Sequence, residues 1–143
     1  QLTILGGGPM MDELQRFADQ NPHLKSRINL AGYVADPTPY YESADMLLMS
    51  SRFEGVPAVI GEALRHGIPF VATDCSAWLT TLARDHATLG TVTSARTAEA
   101  LADAILDRVH RAPPTTAEIG AGIGAHRAGA AALAYLHLFD SLA

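Results

Sequence analysis

A doubly wound α/β sheet is the fold this sequence predicts, on three observations. Short apolar runs alternate with helix-length segments along the chain, and glycine or proline punctuates most junctions. The runs are continuous rather than alternating in polarity, the pattern of parallel strands covered on both faces. Strands of that kind are joined through helices, which is what the intervening segments supply. The chain has 143 residues, 48% hydrophobic and 17% charged, enough for one domain with a buried core. Residues 1–143 are therefore expected to form one Rossmann-like domain.

The elements follow in order. Leu2 to Leu5 (LTIL) is the first strand, and Leu5 to Met10 (LGGGPM) is a glycine turn with Pro9 near the start of a helix. That helix, PMMDELQRFADQN, stops at Asn21-Pro22. Ile28 to Tyr33 (INLAGY) is the second strand, followed by the loop Gly32 to Pro37 and the helical stretch DPTPYYESA. Met46 to Met49 is the third strand; PAVIGEALRHG is a helix stopped by His66-Gly67. Pro69 to Thr73 (PFVAT) is the fourth strand, Ser76 to Asp85 a weaker helix, and Gly90 to Val92 the fifth strand. Thr97 to His110 is an amphipathic helix with Leu101, Ile105 and Val109 on one side. Arg111 to Thr115 (RAPPT) breaks it, and the alanine-rich tail from Arg127 to Leu142 is expected to be the closing helix. Gly61, inside a helix, costs about 1 kcal/mol against alanine, so tight packing is the expected reason for it.

Bulk properties exclude several classes of function. A net charge of −5 argues against a surface that tracks nucleic-acid phosphates. A small anion held by backbone N–H groups needs no net positive charge and stays open. The single cysteine, Cys75, permits no internal disulfide framework and suits a reducing compartment. No apolar run approaches the roughly 18 residues of a membrane span, and no signal peptide opens the chain. These points set a cytoplasmic expectation. The chain enters an apolar run directly at Gln1, without an initiator Met, and is expected to lie inside a larger protein. The six histidines lack the spacing of a metal site, and no metal is expected. Cys75 reads as a buried structural thiol.

The chemistry concentrates in Ser51 to Ala63, SRFEGVPAVIGEA. Glu54 and Glu62 are eight residues apart, whereas a carboxylate pair meant to meet on one helix would sit three or four apart. The stretch is better read as a loop carrying Glu54 and a helix carrying Glu62. Pro57 suits the first helical position, because its missing N–H would be unpaired there. The N–H groups of Gly55, Val56, Ala58 and Val59 then lie near the positive end of the helix, where an anion is favoured. Gly55 allows close approach, and Glu62 leans back toward the turn. A carboxylate there would repel phosphate, so sugar hydroxyls are its better partners. The turn alone is equally an ordinary capped helix with two solvated glutamates. Gly8 in the first glycine turn allows a nucleotide to approach, and Tyr33 or the backbone of Val34 offers a place for a planar base. The first stretch lacks the full G-x-G-x-x-G and a plain tight βα turn explains it better, while a βα loop with a surface tyrosine explains the second equally well. What favours a ligand is convergence, since the loops share the carboxyl edge where open α/β sheets bind.

Read as a unit, SRFEGVPAVIGEALRHGIPFVATD resembles the carboxy-terminal domain of the retaining glycosyltransferases of family 4, which have the two-domain GT-B fold. The family's E-x7-E pattern, set in S-R-x-E-G-x-P and E-A-x-x-x-G-x-P-x-V-A-T, is matched by Glu54, Gly55, Pro57, Glu62, Ala63, Gly67, Pro69, Val71 and Thr73. Leu5-Gly6 to Pro9, Leu30 to Val34, Ala44-Asp45, Ala98 to Ile105 and Tyr135 to Leu142 add flanking matches, so the resemblance spans nearly the whole chain.

The resemblance implies a domain that holds a nucleotide-sugar donor: Glu62 on the ribose hydroxyls, Glu54 on the donor sugar as the catalytic carboxylate, the Gly55 to Val59 turn on the diphosphate and sugar. It implies no cofactor beyond the nucleoside-diphosphate sugar itself, which is a substrate. Partners would be a nucleotide sugar and, through an amino-terminal domain, a glycan or lipid-linked acceptor, with peripheral membrane contact by that domain at the inner face of the cell membrane. The implied pathway is envelope polysaccharide or glycolipid assembly, with a hexose-type sugar transferred. Two features depart from the family. CSAWLTTLARD follows VATD where a Gly-rich turn and a further Glu are usual. The family's domain also begins one β-α unit earlier, with an Arg and a Lys for the diphosphate, so this chain is expected to lack that unit and to be inactive alone. In the family's sheet that strand lies between the strands starting at Leu2 and Met46. Competing readings are a GT-B sugar-nucleotide epimerase, disfavoured by the intact E-x7-E context, and a non-catalytic Rossmann-like interaction module.

Overall fold

The structure, a computed structural model, describes residues 1–126 and 128–141. The chain divides into two compact units, Gln1–Tyr40 and Tyr41–Ala143.

In the first unit, β1 (Leu2–Leu5) and β2 (Ile28–Gly32) pair in parallel, with Leu2 opposite Ile28 and Ile4 opposite Leu30. The register then slips, so that Leu5 faces Gly32. Gly32 has φ +69°, a conformation glycine adopts without steric cost, and its carbonyl accepts the Gly6 N–H at 2.7 Å. Between the strands runs α1 (Met11–Gln20), whose first turn carries Asp12 and Glu13 where the helix dipole favours negative charge. The Asn21 side chain donates to the Phe17 carbonyl and closes that helix as the Asn-Pro pair predicts. Pro22 then opens α2 (Pro22–Lys25), a short helix the sequence reading missed. α3 (Thr38–Ser43), which runs from the first unit into the second at Tyr41, begins where the Asp36 carboxylate accepts the Thr38 N–H at 3.0 Å. That bond holds the Asp36 carboxyl below its usual range. Ala18 is the one buried side chain of this unit, as expected of a two-stranded sheet.

In the second unit, β3 (Leu47–Met49), β4 (Phe70–Thr73) and β5 (Gly90–Thr93) form a parallel sheet in that order. All four residues of the central strand β4 are buried, which is why its sequence is unbroken by a polar alternation. Phe70 is fully buried beneath Gly90, where a Cβ would stand 2.5 Å from the ring. α4 (Ala58–Arg65) contributes Ile60 and Leu64 to the core, and α5 (Ala77–Asp85) contributes Leu79 and Leu82. Each such side chain is worth about 1.5–3 kcal/mol of burial. α4 ends in a Schellman motif: the Gly67 N–H donates to Leu64 and the Ile68 N–H to Ala63, with Gly67 at φ +79°.

α6 (Ala98–Val109), capped by the Thr97 hydroxyl, packs against β4 and β5. Its inward stripe departs from expectation: Val109 is exposed and Arg108 is buried, at 2%. The inward face at Leu101, Ala104 and Ile105 continues three residues on, to Arg108, because the helix turns every 3.6 residues. Arg108 Nη2 donates to the Ala112 carbonyl at 3.1 Å, so the breaker that ends the helix also serves the guanidinium. α7 (Thr116–Ile123) was not foreseen, although the capping box of Thr115 and Glu118 announces it in sequence. A 3-10 turn (Gly124–His126) leads to α8 (Ala128–Ser141). It occupies the predicted tail, whose terminal positions Arg127 and Leu142 lie outside the described residues. Trp78 Nε1 donates to His126 Nε2 at 3.0 Å, with the rings edge-on.

All five expected strands are present, within one or two residues of their predicted ends. They stand as a sheet of two and a sheet of three, since β1 pairs with β2, β3 pairs with β4, and β1 and β3 are neighbours in neither.

Candidate functional site

The geometry of Ser51 to Glu62 follows from the pairing of β3 with β4. Met49 lies opposite Ala72, so the chain leaving β3 runs beside the chain leaving β4. Three hydrogen bonds tie the two exits together. Thr73 Oγ1 donates to the Ser51 carbonyl at 2.6 Å, the Glu54 N–H donates to the Cys75 carbonyl at 2.8 Å, and Ser76 Oγ donates to the Gly55 carbonyl at 2.5 Å. Thr73 and Ser76 are both buried, so their hydroxyls need such partners. Ser76 also accepts the Leu79 N–H at 3.5 Å as the N-cap of α5. One residue thus starts a helix and anchors the turn.

Glu54 is half-buried, and its Oε1 accepts from Ser51 Oγ at 2.9 Å. Pro57 is buried and stands one position earlier than expected, as the N-cap of α4 with φ −71° and ψ 113°, leaving Ala58 as the first helical residue. The N–H groups of Gly55, Val56, Ala58 and Val59 find no acceptor among the described residues. They belong to exposed residues, and nothing stands within 4 Å of a Cβ built at Gly55. One turn into the helix, Glu62 is exposed and its Oε2 accepts from Tyr41 Oη at 2.9 Å. Tyr41 stacks on His66, centroids 5.4 Å apart and planes 15° from parallel. Burial, and then the Glu62 carboxylate, push the Tyr41 phenol up to about 12.

The remaining predicted residues belong to the first unit. Gly8 is exposed with open space around it, Tyr33 is 85% exposed at the end of β2, and Val34 is half-buried. The second unit therefore brings together Glu54, Gly55, Val56, Pro57, Ala58, Val59 and Glu62. Sequence reasoning missed Ser51, Thr73, Ser76 and Tyr41 as supports of that group. Hydroxyl residues at the ends of two adjacent parallel strands were the available signal for the first three. Gly61 corrects an expectation, since a Cβ there meets nothing within 4 Å and tight packing is not its reason.

Comparison with solved structures agrees with the fold. The fold matches Anabaena HepE in complex with UDP at a TM-score of 0.61 and 23% identity, covering 75% of this chain and 30% of that one. It matches the apo form of the lipopolysaccharide outer core galactosyltransferase WaaB at a TM-score of 0.59 and 25% identity, covering 78% of this chain and 30% of that one. Both neighbours are GT-B glycosyltransferases, with which the parallel α/β architecture agrees. Residues 1–110 match the family described as Glycosyl transferases group 1, and the chain belongs to that family.

Its relatives include an uncharacterized glycosyltransferase of Haemophilus influenzae, 33% identical over 75 residues, or 52% of this chain and 21% of that protein. The amylovoran biosynthesis glycosyltransferase AmsD of Erwinia amylovora is 32% identical over the same shares of both chains. An Escherichia coli UDP-Gal:alpha-D-GlcNAc-diphosphoundecaprenol alpha-1,3-galactosyltransferase is 29% identical over 50% of this chain and 19% of that one. The matched stretch spans about a fifth of the length of these relatives. Among the described residues, no helix is long and apolar enough to cross a membrane.

Proposed function

We propose that this chain is the donor-binding part of a retaining glycosyltransferase that moves a hexose-type sugar from a nucleoside diphosphate to an envelope glycan or lipid-linked acceptor. The observation that carries the reading is the turn between the two glutamates. Four N–H groups without acceptors among the described residues lie at the start of α4, with a carboxylate on either side of them in sequence. Backbone N–H groups at a helix start suit a diphosphate, and carboxylates suit hydroxyl donors rather than phosphate. Glu62 accepts from the ribose diol, the turn holds the diphosphate, and Glu54 accepts from the donor sugar. Glu54 is fixed by Ser51, and its backbone is fixed by Cys75, so it presents its carboxylate with little freedom left to lose. The N–H groups stabilise the negative charge that grows on the leaving diphosphate, which is the electrostatic route to a lower barrier. The similarity to AmsD, WaaB and the galactosyltransferase supports an acceptor in surface-glycan assembly.

Calorimetry on the full-length protein with UDP, GDP and ADP tests the reading. Glu62→Ala should weaken the preferred nucleotide by about 1.5–3 kcal/mol, the scale of a hydrogen bond to a charged group, with the fold intact. Glu54→Ala should keep the bare nucleotide's affinity and lose turnover and donor-sugar discrimination. Unchanged affinity in a folded Glu62→Ala variant overturns the ribose assignment; wild-type transfer by Glu54→Ala makes that residue structural.

A further inference from the structure

We infer that Tyr41, backed by His66, is a positioning residue that holds the Glu62 carboxylate ready for a ribose diol; the inference rests on the donor-binding reading above. A glutamate on an exposed helix face ordinarily moves among several rotamers, and fixing it on binding costs part of the affinity it provides. Glu62 is not free in that way. Its Oε2 accepts from Tyr41 Oη at 2.9 Å, while Oε1 has no partner among the described residues and is left to accept from a ligand. A carboxylate has about four acceptor positions, so the tyrosine leaves room for two hydroxyls.

The tyrosine is itself held. Tyr41 lies in α3, half-buried, and its ring stacks nearly parallel on His66. His66, the C-cap of α4, sits four residues after Glu62, so the carboxylate and the stacking partner lie on the same face of the helix. The phenol is pushed up to about 12, first by burial and then by Glu62, so it remains a donor throughout the physiological range. Helix α4 thus fixes the phenol through one residue and receives its hydrogen bond through another.

The test uses calorimetry on the full-length protein with two probes, UDP and 2′,3′-dideoxy-UDP, or the same pair for GDP or ADP where the wild type prefers that base. The dideoxy form offers Glu62 no hydroxyl. Tyr41→Phe keeps the ring on His66 and removes only the donor, so the fold should survive. It should weaken UDP about three- to tenfold, the cost of ordering one side chain, and leave the dideoxy nucleotide unchanged. In a Glu62→Ala background Tyr41→Phe should add nothing. Equal weakening of both nucleotides, or of neither, overturns the positioning role, while Glu62→Ala still erasing the ribo preference leaves the donor-binding reading standing. A ribo preference that survives Glu62→Ala overturns the ribose assignment of Glu62 and this inference with it, and no binding of any of the three diphosphates overturns the donor-binding reading as well.

Discussion

Removing one hydroxyl, in Ser76→Ala, should loosen two elements at once. Ser76 is 6% exposed, donates to the Gly55 carbonyl at 2.5 Å and accepts the Leu79 N–H at 3.5 Å. The first bond is worth about 1 kcal/mol net, since Gly55 is exposed and water can replace the lost donor. The second is an N-cap, usually worth about 1 kcal/mol. At 3.5 Å it lies beyond good hydrogen-bond geometry, which puts it near the lower end, about 0.5 kcal/mol. The expected loss is therefore about 1.5 kcal/mol, read as a lower urea midpoint at constant m. Amide exchange should accelerate at Leu79, whose N–H loses its acceptor. The Glu54 N–H, bonded to the Cys75 carbonyl, should remain protected. A loss under about 0.5 kcal/mol, below the smallest usual cap effect, would refute the double role of Ser76.

Three further outcomes follow from backbone and burial. Gly67→Ala, at φ +79° in the Schellman motif, should destabilise by about 1–2 kcal/mol, the cost of a Cβ in the left-handed region, measured by urea unfolding. Gly61→Ala should stabilise by about 0.5–1 kcal/mol, because the added Cβ meets nothing within 4 Å; a fall in thermal midpoint would reveal a contact absent from the described residues. Tyr41 titrates near 12 rather than 10.0, so the folded state holds its proton more tightly than the unfolded state does. Its contribution to stability is full below pH 10 and disappears as pH rises through about 12. A difference titration of tyrosinate absorbance, wild type against Tyr41→Phe, should show the missing step near pH 12.

Features that depend on neighbours along the chain are legible before folding. Strand β4 declared itself through unbroken apolarity, the end of α4 through His66-Gly67, and the split of Ser51 to Ala63 into loop and helix through Pro57. The two glutamates stood out because Pro57 falls between them and separates a loop residue from a helical one. Local signals were overlooked only where they were short, as with Pro22 opening α2 and the capping box opening α7.

Features that depend on residues distant in sequence emerge only on folding. Val109 and Arg108 are adjacent, and only the docking of α6 on the sheet determines which is buried. The pairing of β3 with β4 brings Thr73 and Ser76 to Ser51 and Gly55 across 22 and 21 residues, and no periodicity encodes such a separation. Tyr41 reaches Glu62 across 21 residues in the same way. Side-chain types specify which hydrogen bonds can form; the fold specifies which partners come within 3 Å, because a short-range interaction acts only between groups that packing has already brought together.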